Sequence, residues 1–125
     1  MLKYQFTSFD DFIKLRNAIK NFFESICQDE AELLFVATNE AVNNAFFHGY
    51  KSDCPVGVEL TITELQEEIL ITVKHDGTGY KFDGTMEHHP DELDEHGRGL
   101  AIIGLCTDSY RFNSSGNELE MRKRY

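Results

Sequence analysis

The sequence of 125 residues lacks the features that mark several classes of protein. Its three cysteines, Cys27, Cys54 and Cys106, are odd in number and widely spaced, so neither a disulfide framework nor a paired-cysteine metal site is predicted. No apolar run approaches the roughly 20 residues that a transmembrane helix needs, and the first residues lack the basic and then apolar pattern of a signal peptide. We therefore expect a reduced, cytoplasmic protein that does not enter a membrane.

Basic charge is also scarce. The 12 lysines and arginines stand against 22 aspartates and glutamates, which gives a formal net charge of −10. Because nucleic acids and anionic membrane surfaces bind basic patches, we expect no direct binding to either. Solubility alone explains the acidic balance, and a basic or mixed-charge protein partner is the alternative interpretation.

Hydrophobic periodicity indicates one domain, residues 1–125, without repeats or linkers. A period of two residues predicts strands at 2–8, 55–63, 69–75, 109–113 and 118–124. Spacings of three and four predict helices at 10–27, 29–48 and 97–107. The first two helices are predicted to begin at capping pairs, Ser8 with Asp11 and Asp29 with Glu32. This order of elements indicates the α+β class, as an α/β two-layer sandwich with three helices on one face of a mixed, mostly antiparallel sheet.

The second predicted helix carries two separate stripes of side chains. Its predicted core face consists of Leu34, Ala37, Ala41 and Ala45. A polar stripe consists of Glu40, Asn43, Asn44 and His48, of which the first, third and fourth lie one turn apart. Because Asn is a poor helix former, two of them in mid-helix are locally unfavourable. A carboxylate beside a carboxamide offers a general base and a hard oxygen ligand for Mg²⁺, and a solvated polar face is the alternative.

Two glycine-rich segments follow at the ends of predicted elements. The first, HDGTGY at 75–80, follows a strand, and its two glycines permit close approach of a ligand to the backbone. The second, HGRGLAII at 96–103, begins a helix whose free N–H groups could receive phosphate beside the cation of Arg98. A plain turn and an ordinary helix start are the alternatives. Neither GxxxxGK[ST] nor GxGxxG is present, and residues 76–96 are predicted to form a long loop.

These segments, in this order and separated by a hairpin and a long loop, resemble the GHKL ATPase superfamily. Within it, the sequence is most similar to the small bacterial anti-sigma factor serine kinases. ATNEAVNNAFFHGY at 37–50 resembles their N box, HDGTGY the first glycine box, and HGRGLAIIGLCTD at 96–108 the second. The resemblance extends over essentially the whole chain and implies the Bergerat ATP-binding fold.

The resemblance also implies roles for individual residues. Glu40 would be the general base, and Asn44 would ligate the Mg²⁺ that bridges the phosphates of ATP. Other residues implied to lie near the phosphates are Asn43, His48, Gly97, Arg98, Gly99 and Leu100. Residues implied to shape the adenine pocket are His75 or Asp76, Gly77 and Gly79, with residues 80–96 as a lid.

The function that the resemblance implies is partner switching. Such a kinase phosphorylates a serine of an anti-anti-sigma protein and otherwise holds a sigma factor. A homodimer is also implied, formed through the first strand and its neighbours.

Two positions depart from the family pattern. The family's first glycine box reads D-x-G-x-G, whose Asp accepts a hydrogen bond from the adenine amino group, but His75 stands at that position and Asp76 follows it. Neutral His accepts through only one nitrogen and protonated His through none, while a one-residue bulge that brings Asp76 into the pocket is the alternative. Asn117 follows Gly116 where the family has threonine.

Three hypotheses therefore stay open. The first is an Mg-ATP-dependent serine kinase that is also an anti-sigma factor. The second is a degenerate module that binds partners with weak or no ATP binding. The third is a stand-alone switch kinase within a larger signalling complex. A metal site formed by His88, His89 and His96 is a minor alternative to a solvated lid, because their spacing matches no standard zinc pattern.

Overall fold

In a computed structural model the described residues are 1–49, 57–75, 95–113 and 117–125. Every predicted helix and strand is present, with described ends within three residues of the prediction. The elements are β1 (Leu2–Phe6), α1 (Phe9–Ile26), α2 (Ala31–Gly49), β2 (Val58–Leu65), β3 (Glu68–His75), α3 (Glu95–Cys106), β4 (Ser109–Phe112) and β5 (Glu118–Arg124). Most of the predicted long loop, and the histidines at 88 and 89, lie outside the described residues.

The strands form one five-stranded sheet in the order β1-β2-β3-β5-β4. Each of its four pairings is antiparallel, so the predicted antiparallel character is confirmed and no parallel pair occurs among the described strands. The predicted hairpin of β2 and β3 is also confirmed, with a regular register from Val58 opposite His75 to Leu65 opposite Glu68.

One face of the sheet is buried under the helices. Alternate side chains of the three central strands are buried on that face, namely Val58, Leu60, Ile62, Ile69, Ile71, Val73, Leu119 and Met121. Helix α2 lies at the centre of the helical layer, where it contacts α1, α3 and the strands β2 and β3. This arrangement confirms the predicted two-layer sandwich.

The two predicted capping pairs have different outcomes. At the start of α1, the Ser8 hydroxyl oxygen accepts from Asp11 N at 3.3 Å, and Asp11 Oδ2 accepts from Thr7 N at 3.1 Å. The second pair is wrong in position, because α2 begins at Ala31, two residues after Asp29. A turn precedes it there, in which Glu30 N donates to the Cys27 carbonyl oxygen at 3.1 Å.

None of the helices in the described parts of the chain is long and apolar enough to cross a lipid bilayer.

Candidate active site

The candidate site lies where α2 crosses the end of β3. The predicted core face of α2 is confirmed, since Leu34, Ala37, Ala41 and Ala45 are all buried. Three of these four side chains are single methyl groups, so the helix backbone approaches the sheet closely and brings its polar stripe near the strand ends.

Among the members of this stripe whose burial is described, Asn44 is the buried one. Its side chain is 7% exposed, and its Nδ2 has no hydrogen-bond partner among the residues that the structure describes. A buried donor without an acceptor costs on the order of 1–3 kcal/mol, and such groups need an explanation in a native protein. An acceptor supplied by something other than the described chain, such as a ligand or water, would explain this one.

Glu40 and Asn43 lie in different surroundings from Asn44. Asn43 is exposed to solvent, whereas Glu40 is partly buried. Glu40 lies close enough to α3 that its negative charge, after the larger effect of burial, raises the pKa of the Cys106 thiol. Because Glu40 is only partly buried, its carboxylate retains access to solvent.

Arg16 holds α1 against α2 beside Glu40. Its guanidinium donates from Nε to Asn39 Oδ1 at 3.1 Å and from Nη2 to the same oxygen. The guanidinium carbon also lies 5.8 Å from the centre of the Phe12 ring. Sequence reasoning missed this link, because no local pattern relates two residues that are 23 positions apart.

His75 ends β3 on the same inward face as Ile71 and Val73. Its side chain is 4% exposed. Its backbone N donates to the Asn117 carbonyl oxygen at 2.9 Å, and its own carbonyl oxygen accepts from Asn117 Nδ2 at 3.3 Å. The register of β2 and β3 is regular up to His75, so the described part of this hairpin contains no bulge. Asp76 itself lies outside the described residues.

A small cavity joins His75 to Asn44. Its volume is about 10 Å³, which is room for about one water molecule. Its lining is mostly apolar and consists of Ala41, Asn44, Ala45, Val73, His75, Phe112, Asn117 and Leu119. Two residues of the predicted site, from a helix and a strand about 30 positions apart in sequence, are thus brought together.

Comparison with known proteins identifies the architecture. Residues 10–123 match the histidine kinase-like ATPase domain. The chain belongs to this family of ATPase domains. It is similar to the serine-protein kinase RsbW of Bacillus subtilis, with 32% identity over 104 residues, which cover 76% of this chain and 65% of the relative. It is also similar to an anti-sigma F factor of Clostridium perfringens, with 30% identity over 98 residues, which cover 70% and 68%.

These relatives support the resemblance seen in the motifs, and membership of an ATPase family implies that nucleotide is used. An RsbW of Staphylococcus epidermidis is 29% identical over 105 residues, which cover 76% of this chain and 66% of the relative. The chain therefore spans about two thirds of the length of the curated relatives that it matches.

The remaining expected site residues of this histidine kinase-like domain are placed only in part. Helix α3 begins at Glu95, two residues before the predicted start, so the N–H groups of Gly97 and Arg98 are among its first four. Gly99 follows in the same turn, and Leu100 is buried. His48 lies in the last turn of α2, and its side chain is not described. Gly77 and Gly79 lie outside the described residues.

Asn117 has a structural role that its mismatch with the family pattern did not suggest. Its Oδ1 accepts from Asn113 Nδ2 at 2.8 Å, and its backbone N donates to Asn113 Oδ1 at 3.1 Å. Together with the two bonds to His75, these contacts join the end of β3 to the connection between β4 and β5. In the sequence, the two asparagines at the predicted turn SSGN, Asn113 and Asn117, are the feature that could have indicated this role.

The described residues contain no group of three or more His, Cys, Asp and Glu side chains placed to hold a metal ion. For Mg²⁺ the chemistry of Asn44 is suitable, because Mg²⁺ takes few protein oxygens and keeps waters and phosphate oxygens as its other ligands.

Proposed function

We propose that this chain is an Mg-ATP-dependent protein serine kinase that phosphorylates an anti-anti-sigma partner and sequesters a sigma factor. The observation that carries the proposal is the buried Asn44 carboxamide, with an unmet donor, one helical turn from the solvent-accessible Glu40. The names of the relatives, serine-protein kinase and anti-sigma F factor, point to the same activity. A protein that acts on sigma factors works in the cytoplasm, which is the location we propose.

Each residue of the site has one task in this proposal. Glu40 accepts the proton of the attacking serine hydroxyl, and its exposure lets a partner's serine reach it. The Asn44 carbonyl oxygen would hold Mg²⁺, which would supply neutralisation of the phosphate charge. The N–H groups of Gly97 and Arg98, at the positive end of the α3 dipole, receive phosphate oxygens. Phosphoryl transfer needs such positioning and charge neutralisation more than covalent chemistry from the protein.

The test is phosphorylation of a cognate anti-anti-sigma protein of the STAS type with Mg-ATP, read as phosphoserine by mass spectrometry. We expect Glu40→Gln to lower the rate by about 10²- to 10⁴-fold, the usual contribution of a general base, with nucleotide affinity little changed. Glu24→Gln, which removes an exposed carboxylate of α1, is the matched control and should keep the wild-type rate.

The proposal is abandoned if the wild type forms no phosphoserine and a His75→Asp variant forms none either. The second variant matters because it restores the acceptor that the family has at this position.

The second candidate function is a partner-switching module with weak or no ATP binding. It is favoured by the small volume of the cavity and by His75 at the base-binding position. Binding of the sigma factor or the anti-anti-sigma protein with the same affinity in the presence and absence of Mg-ATP would support this candidate over the kinase.

We also propose a homodimer formed through β1 and its neighbours. β1 lies at one edge of the sheet, where only β2 pairs with it among the described strands. Static light scattering after size-exclusion chromatography should give twice the 14.4 kDa mass at tens of micromolar. A monomer mass at that concentration overturns the dimer.

A further inference from the structure

Two asparagine side chains that face each other, Asn113 and Asn117, brace the connection between β4 and β5. Asn113 Oδ1 accepts from Asn117 N at 3.1 Å and from Glu118 N at 3.2 Å. Asn113 Nδ2 donates to Asn117 Oδ1 at 2.8 Å. The other end of the Asn117 amide, Nδ2, donates to the His75 carbonyl oxygen at 3.3 Å. The two amides therefore form a chain of hydrogen bonds that ends on the backbone of β3.

The direction of this chain is fixed at Asn113. Two backbone N–H groups point at its Oδ1, so this atom is the acceptor and the other end of the amide is the donor. That donor needs an acceptor on Asn117, and the Asn117 Nδ2 consequently faces His75. A reversed Asn117 amide would place its oxygen against the His75 carbonyl oxygen. Asn113 thus holds the Asn117 donor in the orientation that bonds to β3.

Asn117 extends the pairing of β3 and β5 by one residue pair. Their register runs to Lys74 opposite Glu118, so His75 and Asn117 are the next pair. In a hydrogen-bonded antiparallel pair the two residues exchange both backbone bonds. Here His75 N donates to the Asn117 carbonyl oxygen at 2.9 Å, but the return bond comes from the Asn117 side chain, because the Asn117 backbone N donates to Asn113. One residue therefore holds both backbone groups of His75.

The group that Asn117 holds lies at the entrance to the candidate site. His75 is the last residue of β3, and its carbonyl group joins the strand to residues 76–80, the segment that the motif resemblance assigns to the base. Asn117 also lines the small cavity together with Asn44. A group that is fixed before a ligand arrives does not have to be ordered on binding, and this improves affinity.

We propose that Asn117 is a positioning residue for the nucleotide base, which acts by holding the His75 carbonyl group at the start of the base-binding segment. The inference rests on the proposed function and adds to it a residue that acts through the backbone of β3. One neutral hydrogen bond changes an equilibrium constant by about 2- to 10-fold, which sets the size of the expected effect.

The test compares Asn117→Ala with Asn113→Ala by isothermal titration calorimetry with Mg-ATP. Both variants shorten an asparagine of the same connection, but only Asn117→Ala removes the donor to the His75 carbonyl oxygen. Asn113→Ala removes three hydrogen bonds and leaves that donor in place. We expect the Kd of Mg-ATP to rise by about 2- to 10-fold in Asn117→Ala and by less than about 2-fold in Asn113→Ala.

Urea unfolding of the same two variants separates positioning from stability. A merely structural role predicts that Asn113→Ala, which loses more hydrogen bonds, has the larger effect on both stability and affinity. A positioning role predicts that the larger effect on affinity belongs to Asn117→Ala, whichever variant loses more stability.

Two further measurements on Asn117→Ala address the mechanism. In phosphorylation of a cognate anti-anti-sigma protein, the KM for Mg-ATP should rise by about 2- to 10-fold and kcat should stay within about 2-fold, since Glu40 lies on α2 and not on the braced strand end. In nucleotide-free protein, hydrogen exchange followed by NMR should be about 2- to 10-fold faster at the His75 amide and unchanged at Ile71 in the middle of β3.

The outcomes distinguish this inference from the proposed function. An equal Kd of Mg-ATP in the wild type and Asn117→Ala overturns the positioning role and leaves the proposed kinase standing. A lower kcat with an unchanged KM overturns it too, because the effect would then fall on the chemical step. Absence of Mg-ATP binding by the wild type at millimolar concentration overturns the nucleotide dependence of the proposed function and, with it, the role of Asn117.

Discussion

At one end of the buried layer between helices and sheet lies the side chain of Lys123, and at the other end lie Asn44 and His75. Lys123 is on the inward face of β5, and its side chain is only 13% exposed. Its ammonium group lies 3.4 Å from the Glu30 carboxylate, so the charge is paired within the chain. Burial raises the pKa of the nearby thiols of Cys27 and Cys106, and the positive charge of Lys123 acts in the opposite direction.

The two ends differ in how their buried polar groups are satisfied. At the Lys123 end the chain itself supplies the opposite charge. At the Asn44 end a donor is buried without an acceptor among the described residues. Since an unmet donor costs stability, the contrast indicates that the Lys123 end serves the fold and that the Asn44 end serves a ligand.

The largest expected effect concerns the Lys123 end, which we assign to the stability of the fold. Phe23 is fully buried near Cys27, whose backbone N donates to the Phe23 carbonyl oxygen at 2.9 Å. Phe23→Ala should lower the free energy of unfolding by about 3–5 kcal/mol, because it removes a whole ring and leaves a cavity. Urea unfolding measures this, and the partly buried neighbour in Phe22→Ala should lose less. A loss below about 1 kcal/mol would contradict the assignment of this end to stability.

A substitution at the Asn44 end should change the free energy of unfolding in the opposite direction. Asn44→Leu keeps a similar volume and removes the unmet donor, so we expect the free energy of unfolding to rise by about 1 kcal/mol. Nucleotide binding should be lost in the same variant, which is the usual trade-off between stability and function at a site. Urea unfolding and calorimetry measure the two effects.

Asn43, the exposed neighbour of Asn44, provides the control for this predicted rise in the free energy of unfolding. Asn43→Leu should change the free energy of unfolding by no more than about 0.5 kcal/mol, as is usual for a surface position. If Asn44→Leu destabilises the protein instead, its amide is satisfied in the native state and the contrast between the two ends fails.

Much of the fold could be predicted from the sequence because burial follows a local period. The alternation of Ile69, Ile71 and Val73 predicts the buried face of β3, and the four-residue spacing of Ala37, Ala41 and Ala45 predicts the face of α2 that meets the sheet. The structure confirms both. The first residue of α2 was not predictable in this way, because the turn before it competes with the helix for the same backbone groups.

The candidate site was predictable in its residues but not in their environments. Asn43 and Asn44 are adjacent and chemically identical, and a rotation of 100° about the helix axis decides which of them is buried. The direction of that rotation depends on how α2 packs on the sheet. The link between Arg16 and Asn39 likewise depends on the packing of two helices, which no local pattern encodes.

The smallest expected effect is a pH dependence near the site end, at the start of α1. Bonds from the Thr7 backbone N–H, the Thr7 hydroxyl and the Ser8 backbone hold the pKa of the Asp11 carboxyl below its ordinary value. The folded state therefore favours the charged form, so the stabilisation is complete above the unfolded pKa, about 4, and is lost as the pH falls through the lowered folded value. Asp11→Asn should be less stable than the wild type at pH 7, and the difference should shrink below about pH 4. Urea midpoints of both proteins from neutral to acid pH measure it, and a difference that stays constant over that range would show that the charge of Asp11 is not its source.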